Sequence, residues 1–220
     1  MGARVRPLTV RPAQLLKVDL GRVSYAAGFA AQQRIAEARR LDLVSDALIL
    51  CEHDPVVTCG RRTKPSEIEG TACPVEWIDR GGGATFHGPG QIVGYPILKL
   101  AGIGTVGTYL RALESILIDV LDGFGLAAKR GDQTGVWVGG KKLVSIGIAV
   151  RRGVTRHGFA LNVNTDLAVF RRIRPCGLDP QLISSMAEIL GRPQSLREVK
   201  GAVWERFSAW HRGGSGPDGP

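Results

Sequence analysis

The stretch Arg80 to Pro96, reading RGGGATFHGPGQIVGYP, limits the fold of this chain more than any other segment. Its first fifteen residues hold six glycines, one histidine and no long aliphatic run before Ile92. Glycine inside a helix or strand costs roughly 0.5–1 kcal/mol relative to alanine, whereas in a loop it lets backbone approach a ligand closely. The segment therefore predicts a ligand-binding loop, fed by a strand at Val75 to Asp79 and left by a strand at Gln91 to Leu98. A glycine-rich surface turn accounts for the same residues, so the choice depends on what chemistry the rest of the chain supplies. Phosphate-loop readings fail, because Gly88 is followed by Pro89 and Gly90, not by Lys and Ser or Thr, and no GxGxxG opens a helix.

The remaining elements set the fold class. Residues 1–16 read as a polar lead-in, and Leu16 to Leu20 as the start of a strand. SYAAGFAAQQRIAEARR from Ser24 places Tyr25, Phe29 and Ala36 near helical spacing with arginines on the far side. Ala47 to Glu52 is a short apolar strand, ended by Pro55 and Gly60. Val106, Tyr109, Leu110, Leu113, Leu117, Val120 and Leu121 repeat at three and four residues, an amphipathic helix. GVWV, Gly139-Gly140 and KKLVSIGIAV form a hairpin, the two glycines suiting a type I′ turn. In its second strand Val144, Ile146, Ile148 and Val150 share one face, and Leu143, Ser145, Gly147 and Ala149 form an opposite face of mostly small residues with room for a ligand. HGFALNVN is a further strand. Ser195 and Glu198 make a capping-box pattern ahead of the stripe Leu196, Val199, Val203, Phe207, Trp210. This irregular order predicts an α+β fold, helices packed on a mixed sheet, and not a doubly wound parallel one.

At 220 residues and 44% hydrophobic, the chain can bury a single core. The expectation is one domain over 1–212, with 213–220, GGSGPDGP, a disordered tail. Lysine plus arginine exceed aspartate plus glutamate by 29 − 20 = +9, which points to acidic partners. The N-terminus lacks the apolar run of a secretory signal and no segment approaches a membrane span. The four cysteines, Cys51, Cys59, Cys73 and Cys176, contain no CxxC pair, so neither a zinc ribbon nor a disulfide framework is indicated and reduced thiols in a cytoplasm are expected; no metal and no cofactor is expected.

Cys176 alone has surroundings that favour reactivity. It lies between Pro175 and Gly177 behind Arg171, Arg172 and Arg174, and nearby positive charge lowers a thiol's pKa. Cys51 and Cys59 sit in or beside an apolar strand, as small hydrophobes do. A nucleophilic thiol needs a base or a charge partner. His87 and His157, each followed by glycine, and Lys141 and Lys142, just after the hairpin turn, are the candidates.

Four segments in register carry a resemblance: RGGGATFHGPGQIVGYPIL at 80–98, GGKKLVSIGIAV at 139–150, HGFALNVNTDL at 157–167 and PCG at 175–177, with EHDPVVTCGRR at 52–62 ahead of them. Together they resemble the lipoyl(octanoyl) transferases, over roughly residues 20–190. The resemblance implies the fold of the biotin and lipoate protein ligases, and movement of an octanoyl group from octanoyl-acyl carrier protein to a lysine of lipoyl domains. The implied acceptors are the lipoyl domains of 2-oxoacid dehydrogenase complexes and the glycine cleavage H protein, served by a cytoplasmic monomer with no nucleic-acid or membrane partner.

Carried over residue by residue, the resemblance makes Cys176 the acyl-thioester nucleophile. KLVSIG picks out Lys142, not Lys141, as the residue that lowers the thiol's pKa and then acts as base. Arg80, Gly81, Gly82, Gly83, Ala84, Thr85, Phe86 and His87, then Ser145, Ile146 and Gly147, then Gly158, Phe159 and Ala160 correspond to acyl-substrate contacts, with His157 as pocket support. Simple alternation puts Lys142 on the Val144 face, opposite Ser145 and Gly147. Either the regular strand begins after Lys142 or the Ser145 to Gly147 contacts are made by backbone. Donors for a tetrahedral oxyanion are expected near Gly177 or in the glycine loop. Arg151, Arg152, Arg156, Arg171, Arg172 and Arg174 are expected to steer acidic protein substrates. Two alternatives stay open: an ATP-dependent lipoate or octanoate ligase of the same fold, which needs no cysteine, and a non-catalytic module binding nucleic acid through its basic surface.

Overall fold

The structure is a computed structural model and describes residues 14–213. Most of the polar lead-in and all but the first residue of the expected tail lie outside the described residues. Strand β1 (Leu16–Val23) leads into helix α1 (Tyr25–Arg40), capped by Ser24, whose hydroxyl accepts the Ala27 N–H. β2 (Ala47–His53), β3 (Val56–Cys59), β4 (Val75–Trp77), β5 (Ala84–His87) and β6 (Gln91–Ile97) follow. Helix α2 (Val106–Asp122) precedes β7 (Ala128–Arg130), β8 (Gly135–Val138), β9 (Lys141–Arg151) and β10 (Val154–Asn162). The short α3 (Met186–Leu190) and α4 (Leu196–His211) complete the order.

A seven-stranded sheet runs β1-β2-β6-β10-β9-β8-β7, and a three-stranded sheet runs β4-β3-β5. β1 pairs with β2, and β4 with β3, in parallel; the other ladders are antiparallel, so the sheets are mixed as expected. The alternation of the strands sorts side chains into two layers. Leu48, Leu50, Ile92, Val136, Val144 and Leu161 meet Leu113, Leu117 and Leu121 of α2 and Val199, Val203 and Phe207 of α4. Ala47, Ile49, Cys51, Val93, Tyr95 and Ile97 face the other way, towards Ala36 of α1. A third cluster joins Val57, Cys59, Ala84 and Phe86 of the small sheet to Phe170, Ile173 and Ile183.

The glycine stretch is not a continuous loop. Residues 84–87 form β5, paired antiparallel with β3, because HDPVVTC folds back as a strand that supplies a partner edge. Only 78–83 and 88–90 are irregular. The hairpin agrees with its sequence: Gly139 and Gly140 have φ of +55° and +79°, as a type I′ turn requires.

Where β6, β10 and β9 lie side by side the sheet is thinned by glycine. Gly158 pairs with Gly147, and Gly94 pairs with Phe159. A Cβ on Gly158 would lie 2.1 Å from the Gly94 carbonyl oxygen and 2.7 Å from Pro96 Cδ. Backbone cannot give way as a side-chain tip can, so Gly158→Ala is expected to cost about 1–3 kcal/mol of stability. Gly201 in α4 has nothing within 4 Å of its would-be Cβ. Gly201→Ala should therefore stabilise by roughly 0.4–1 kcal/mol. Urea titrations of both variants check the opposite signs, and equal shifts would contradict the packing.

Candidate active site

A cavity of about 670 Å³ opens between the glycine segment, β6, β9, β10 and the start of α2. Its size is that of a small-molecule site. Gly81 N–H donates to the Ile148 carbonyl at 2.9 Å, which docks the glycine segment against β9. The thinned sheet makes the space: a Cβ on Gly147 would sit 3.0 Å from Arg80 Cδ and 3.1 Å from the Gly81 oxygen.

Lys142 reaches this cavity through a β-bulge. Val136 of β8 pairs with Val144, but its neighbour Trp137 pairs with Lys142, so Leu143 has no partner. A bulge of one residue reverses the alternation on its far side. Leu143 and Val144 accordingly both enter the core beneath α2 and α4, while Lys142 and Ser145 both line the cavity. β9 starts at Lys141, so the conflict between Lys142 and Ser145 arises neither from a late strand start nor from backbone-only contact. Gly135, at φ +133°, leaves room for the lysine: a Cβ there would be 2.7 Å from Lys142 Cε. Lys142 is 4% exposed, with Nζ 5.5 Å from the centre of the Trp137 ring. Lys141 is exposed and donates to the Gln181 carbonyl at 2.6 Å.

Cys176 lies in a single 3-10 turn, Pro175–Gly177, where Gly177 adopts φ +73°. Leu178 N–H closes the turn on the Pro175 carbonyl at 3.0 Å, and Arg174 N–H anchors it to the Glu67 carbonyl at 2.8 Å. The chain beyond the turn is pinned to β9 at Lys142, whose carbonyl accepts the Ser184 N–H at 3.1 Å beside a parallel bridge from Lys142 to Ile183.

Arg80, Gly81, Gly82, Gly83, Thr85, His87, Lys142, Ser145, Ile146, Gly147, His157, Gly158, Phe159 and Ala160 all line the cavity. Ala84 and Phe86 do not, because alternation along β5 turns them to the third cluster, where Phe86 meets Phe170 edge-on with centroids 5.6 Å apart. Arg156 does not fit the expected docking role. It is buried and its guanidinium is bound to Asp79, so it presents little charge to a partner. Residues not expected at the site complete the lining: Val93 and Tyr95 on β6, Val106 and Leu110 on α2, Ile148 on β9, and Arg62, Glu67 and 132–134 on loops. The first pair was accessible from alternation along β6; the loop residues arrive only by tertiary folding.

Several polar groups of the wall are matched by partners behind it, although the buried Thr85 hydroxyl is not. Arg80 Nη2 donates to the Thr58 carbonyl at 2.8 Å and to its hydroxyl at 3.0 Å. His157 hydrogen-bonds Asp79 at 2.9 Å and stacks on Phe29 at 5.9 Å. Its φ of +57° is unusual for a non-glycine residue, and its N–H is taken up by Gln32 Oε1 at 3.0 Å. Tyr95 Oη lies 2.6 Å from His53 Nε2. Burial holds His53 and His157 below the usual histidine range, the latter against the opposing pull of Asp79. His87 is pushed down to about 3, mainly by burial and secondarily by His53.

These shifts fix the sign of an acid effect. A histidine whose pKa is depressed by folding binds fewer protons folded than unfolded, so its stabilising contribution is complete above the unfolded pKa and is lost as pH falls below it. With an unfolded value near 6.5, His87 alone should lower stability by about 1.4 kcal/mol between pH 8 and pH 5.5. Urea unfolding across that range checks it; a flat profile would contradict the neutral buried ring.

Residues 24–208 match the family model of the lipoyl protein ligase A/B catalytic domain. The chain is 46% identical over 191 residues to an octanoyltransferase of Geobacter metallireducens, covering 86% of this chain and 90% of that one. The chain belongs to the octanoyltransferase family. An octanoyltransferase of Salinispora tropica is 42% identical over 199 residues, covering 87% and 93% of the two chains. Solved structures share the fold at low identity. A bi-partite lipoate protein ligase from Thermoplasma acidophilum gives a TM-score of 0.66 at 17% identity, over 91% of this chain and 84% of that one. A biotin protein ligase from Aquifex aeolicus gives 0.59 at 14%, over 90% and 70%. The catalytic-domain fold implied by the glycine, lysine and cysteine segments is the one present, and family membership makes the chain an acyl-transferring enzyme. No helix among the described residues is long and apolar enough to cross a membrane.

Proposed function

We propose that this enzyme moves an octanoyl group from octanoyl-acyl carrier protein to a lysine of lipoyl domains through a thioester on Cys176, with Lys142 as its proton partner. The observation that carries the reading is the bulge at Leu143, which puts a buried lysine on the wall of a glycine-lined cavity beside the segment that follows the Cys176 turn.

The chemistry balances without an external energy source. The Cys176 thiolate, favoured by the Lys142 ammonium, attacks the thioester carbonyl; the carrier's sulfur leaves and takes a proton from Lys142. An acceptor amine has an unperturbed pKa of about 10.4, so one proton goes to solvent before attack. Neutral Lys142 takes the second as the amide forms, and Cys176 departs as thiolate. The octanoyl tail lies against Gly81 to Gly83, Thr85, His87 and the Ser145 to Gly147 and Gly158 to Ala160 walls. Acceptors are the lipoyl domains of 2-oxoacid dehydrogenase complexes and the glycine cleavage H protein, met in the cytoplasm, where the thiols stay reduced. Arg171, Arg172 and Arg174, exposed around the Cys176 turn, steer these acidic partners. Mass spectrometry after incubation with octanoyl carrier protein tests the scheme: an octanoyl adduct on Cys176 is expected, and an absolute requirement for ATP would overturn it.

A further inference from the structure

Gln91 and Asn162 are not among the cavity-lining residues, yet both side chains are buried, 1% and 4% exposed, and together they join the wall to the segment that follows the Cys176 turn. Their amides have only one self-consistent orientation. Asn162 Nδ2 donates to the Ser184 carbonyl at 3.0 Å, which turns Asn162 Oδ1 towards Gln91. Gln91 Nε2 donates to that oxygen at 2.9 Å and to the Phe86 carbonyl at 3.0 Å, so both of its hydrogens are spent. Gln91 Oε1 is therefore the atom that meets His87 Nδ1 at 2.8 Å. An amide oxygen can only accept, so the ring proton of His87 resides on Nδ1. Its Nε2 is then a lone pair facing the Thr58 hydroxyl at 3.2 Å, and that hydroxyl oxygen accepts from Arg80 Nη2 at 3.0 Å. Reversing any link would set a buried donor against a donor or an acceptor against an acceptor. The backbone carbonyls of Phe86 and Ser184, which cannot reverse, dictate the rest.

We propose that Gln91 and Asn162 are positioning residues for acyl transfer: they hold His87 as a neutral Nδ1–H ring with both nitrogens engaged by protein, so that it offers the cavity only apolar ring edge. This rests on reading the cavity as the octanoyl pocket. An imidazolium there would demand water or a counter-charge beside an alkyl tail, which is costly to provide in a buried site. Burial, His53, Arg80 and His157 favour the neutral form and outweigh the Gln91 bond, which fixes the tautomer but by itself favours the charged ring. Tyr25 of α1 stacks on it at 6.4 Å, His53 of β2 meets it edge-on at 5.9 Å, and Arg80 reaches it through Thr58 of β3. His157 of β10 acts in the same direction, its ring Nε2 lying 2.9 Å from Asp79 Oδ1. The same relay serves the reacting end, since Ser184, which Asn162 holds by its carbonyl, donates its N–H to the carbonyl of Lys142.

Two measurements on the full-length enzyme test this. Long-range proton–nitrogen correlation of the imidazole rings at pH 7, with His87→Gln for assignment, should show His87 protonated on Nδ1 alone. An Nε2–H ring, or averaging of both forms, would overturn the proposal. Asn162→Leu leaves Gln91 able to turn over and should admit both forms; an unchanged single form would remove Asn162 from the relay. The second measurement is the KM for octanoyl carrier protein from pH 8 to pH 6. Gln91→Glu sets a carboxylate on the ring N–H and favours imidazolium, so its KM should rise about tenfold over that range, the extent of one pH unit of titration, while the native value changes less than about twofold. The double variant Gln91→Glu/His87→Gln should lose the rise. A loss in Gln91→Glu that is the same at every pH and persists in the double variant would reduce Gln91 to a packing role and sink the idea. If the native enzyme accepts no octanoyl group from the carrier, the pocket reading fails, and the nitrogen spectra still decide the ring's form.

Discussion

Cys176→Ser is expected to leave a folded protein that transfers octanoyl groups at least on the order of 10³-fold more slowly than the native enzyme, and that gains no octanoyl mass. The substitution keeps the shape of the side chain and removes its acidity: a thiol near pKa 8.5 supplies thiolate at neutral pH, and a serine hydroxyl beside a lysine does not. The turn should survive, because the contacts that build it are backbone ones. Gly177 N–H donates to the Arg174 carbonyl at 3.2 Å, Leu178 N–H to Pro175 at 3.0 Å, and Arg174 N–H to Glu67 at 2.8 Å. Other thiols are poor substitutes. Burial pushes Cys51 up to about 12 and also raises Cys59, so neither offers thiolate at neutral pH. Intact mass and peptide mapping after exposure to octanoyl carrier protein, alongside a circular dichroism melt, make the comparison. An adduct on Cys51, Cys59 or Cys73, or a variant that still turns over, would refute the thioester on Cys176.

What the sequence made legible follows from the range of the forces involved. Helices α1, α2 and α4 announce themselves by local periodicity, and α4 also by its Ser195 cap; in the structure Ser24, Thr105 and Ser195 each accept an N–H group with the side-chain oxygen. The β8–β9 hairpin is equally local, since two glycines at positive φ specify it. In sequence the segment 80–90 reads as one loop because a four-residue strand has too little pattern of its own; β5 exists because β3 lies beside it. The division of Arg80 to His87 into cavity-facing Thr85 and His87 and core-facing Ala84 and Phe86 follows from that same strand, and so could not be drawn while the segment was a loop. The relay through Gln91 and Asn162 spans 71 residues of sequence. No local pattern marks two amides as partners across that distance. Arg156 misled for the complementary reason: its charge is visible in sequence and its burial against Asp79 is not.

The bulge at Leu143 separates two adjacent lysines, and the second expected result turns on it. Lys142→Ala should reduce the transfer rate by about 10²- to 10⁴-fold, the usual contribution of a positioned acid or base. Lys141→Ala should stay within about a factor of two, as surface changes do. The contrast is geometric, for Lys141 is exposed and bonded to the Gln181 carbonyl, whereas Lys142 is buried on the cavity wall under Trp137. Loss of the buried stem would also disturb packing against Gly135 and Trp137, so Lys142→Met, which keeps an unbranched chain of similar length, is the sharper variant. It should melt close to the native protein and be as slow as Lys142→Ala. The pH profile then distinguishes a proton partner from a structural prop. On the mechanism proposed above, removing the ammonium leaves a thiol of ordinary cysteine acidity, near 8.5, whose thiolate fraction rises as pH rises through that value. Formation of the acyl-enzyme in Lys142→Met should therefore recover by about 25-fold between pH 7 and pH 9, while the native enzyme gains little. Equal losses in Lys141→Ala and Lys142→Met, or a deficit that does not narrow with rising pH, would remove Lys142 from the chemistry and leave the bulge as a feature of packing alone.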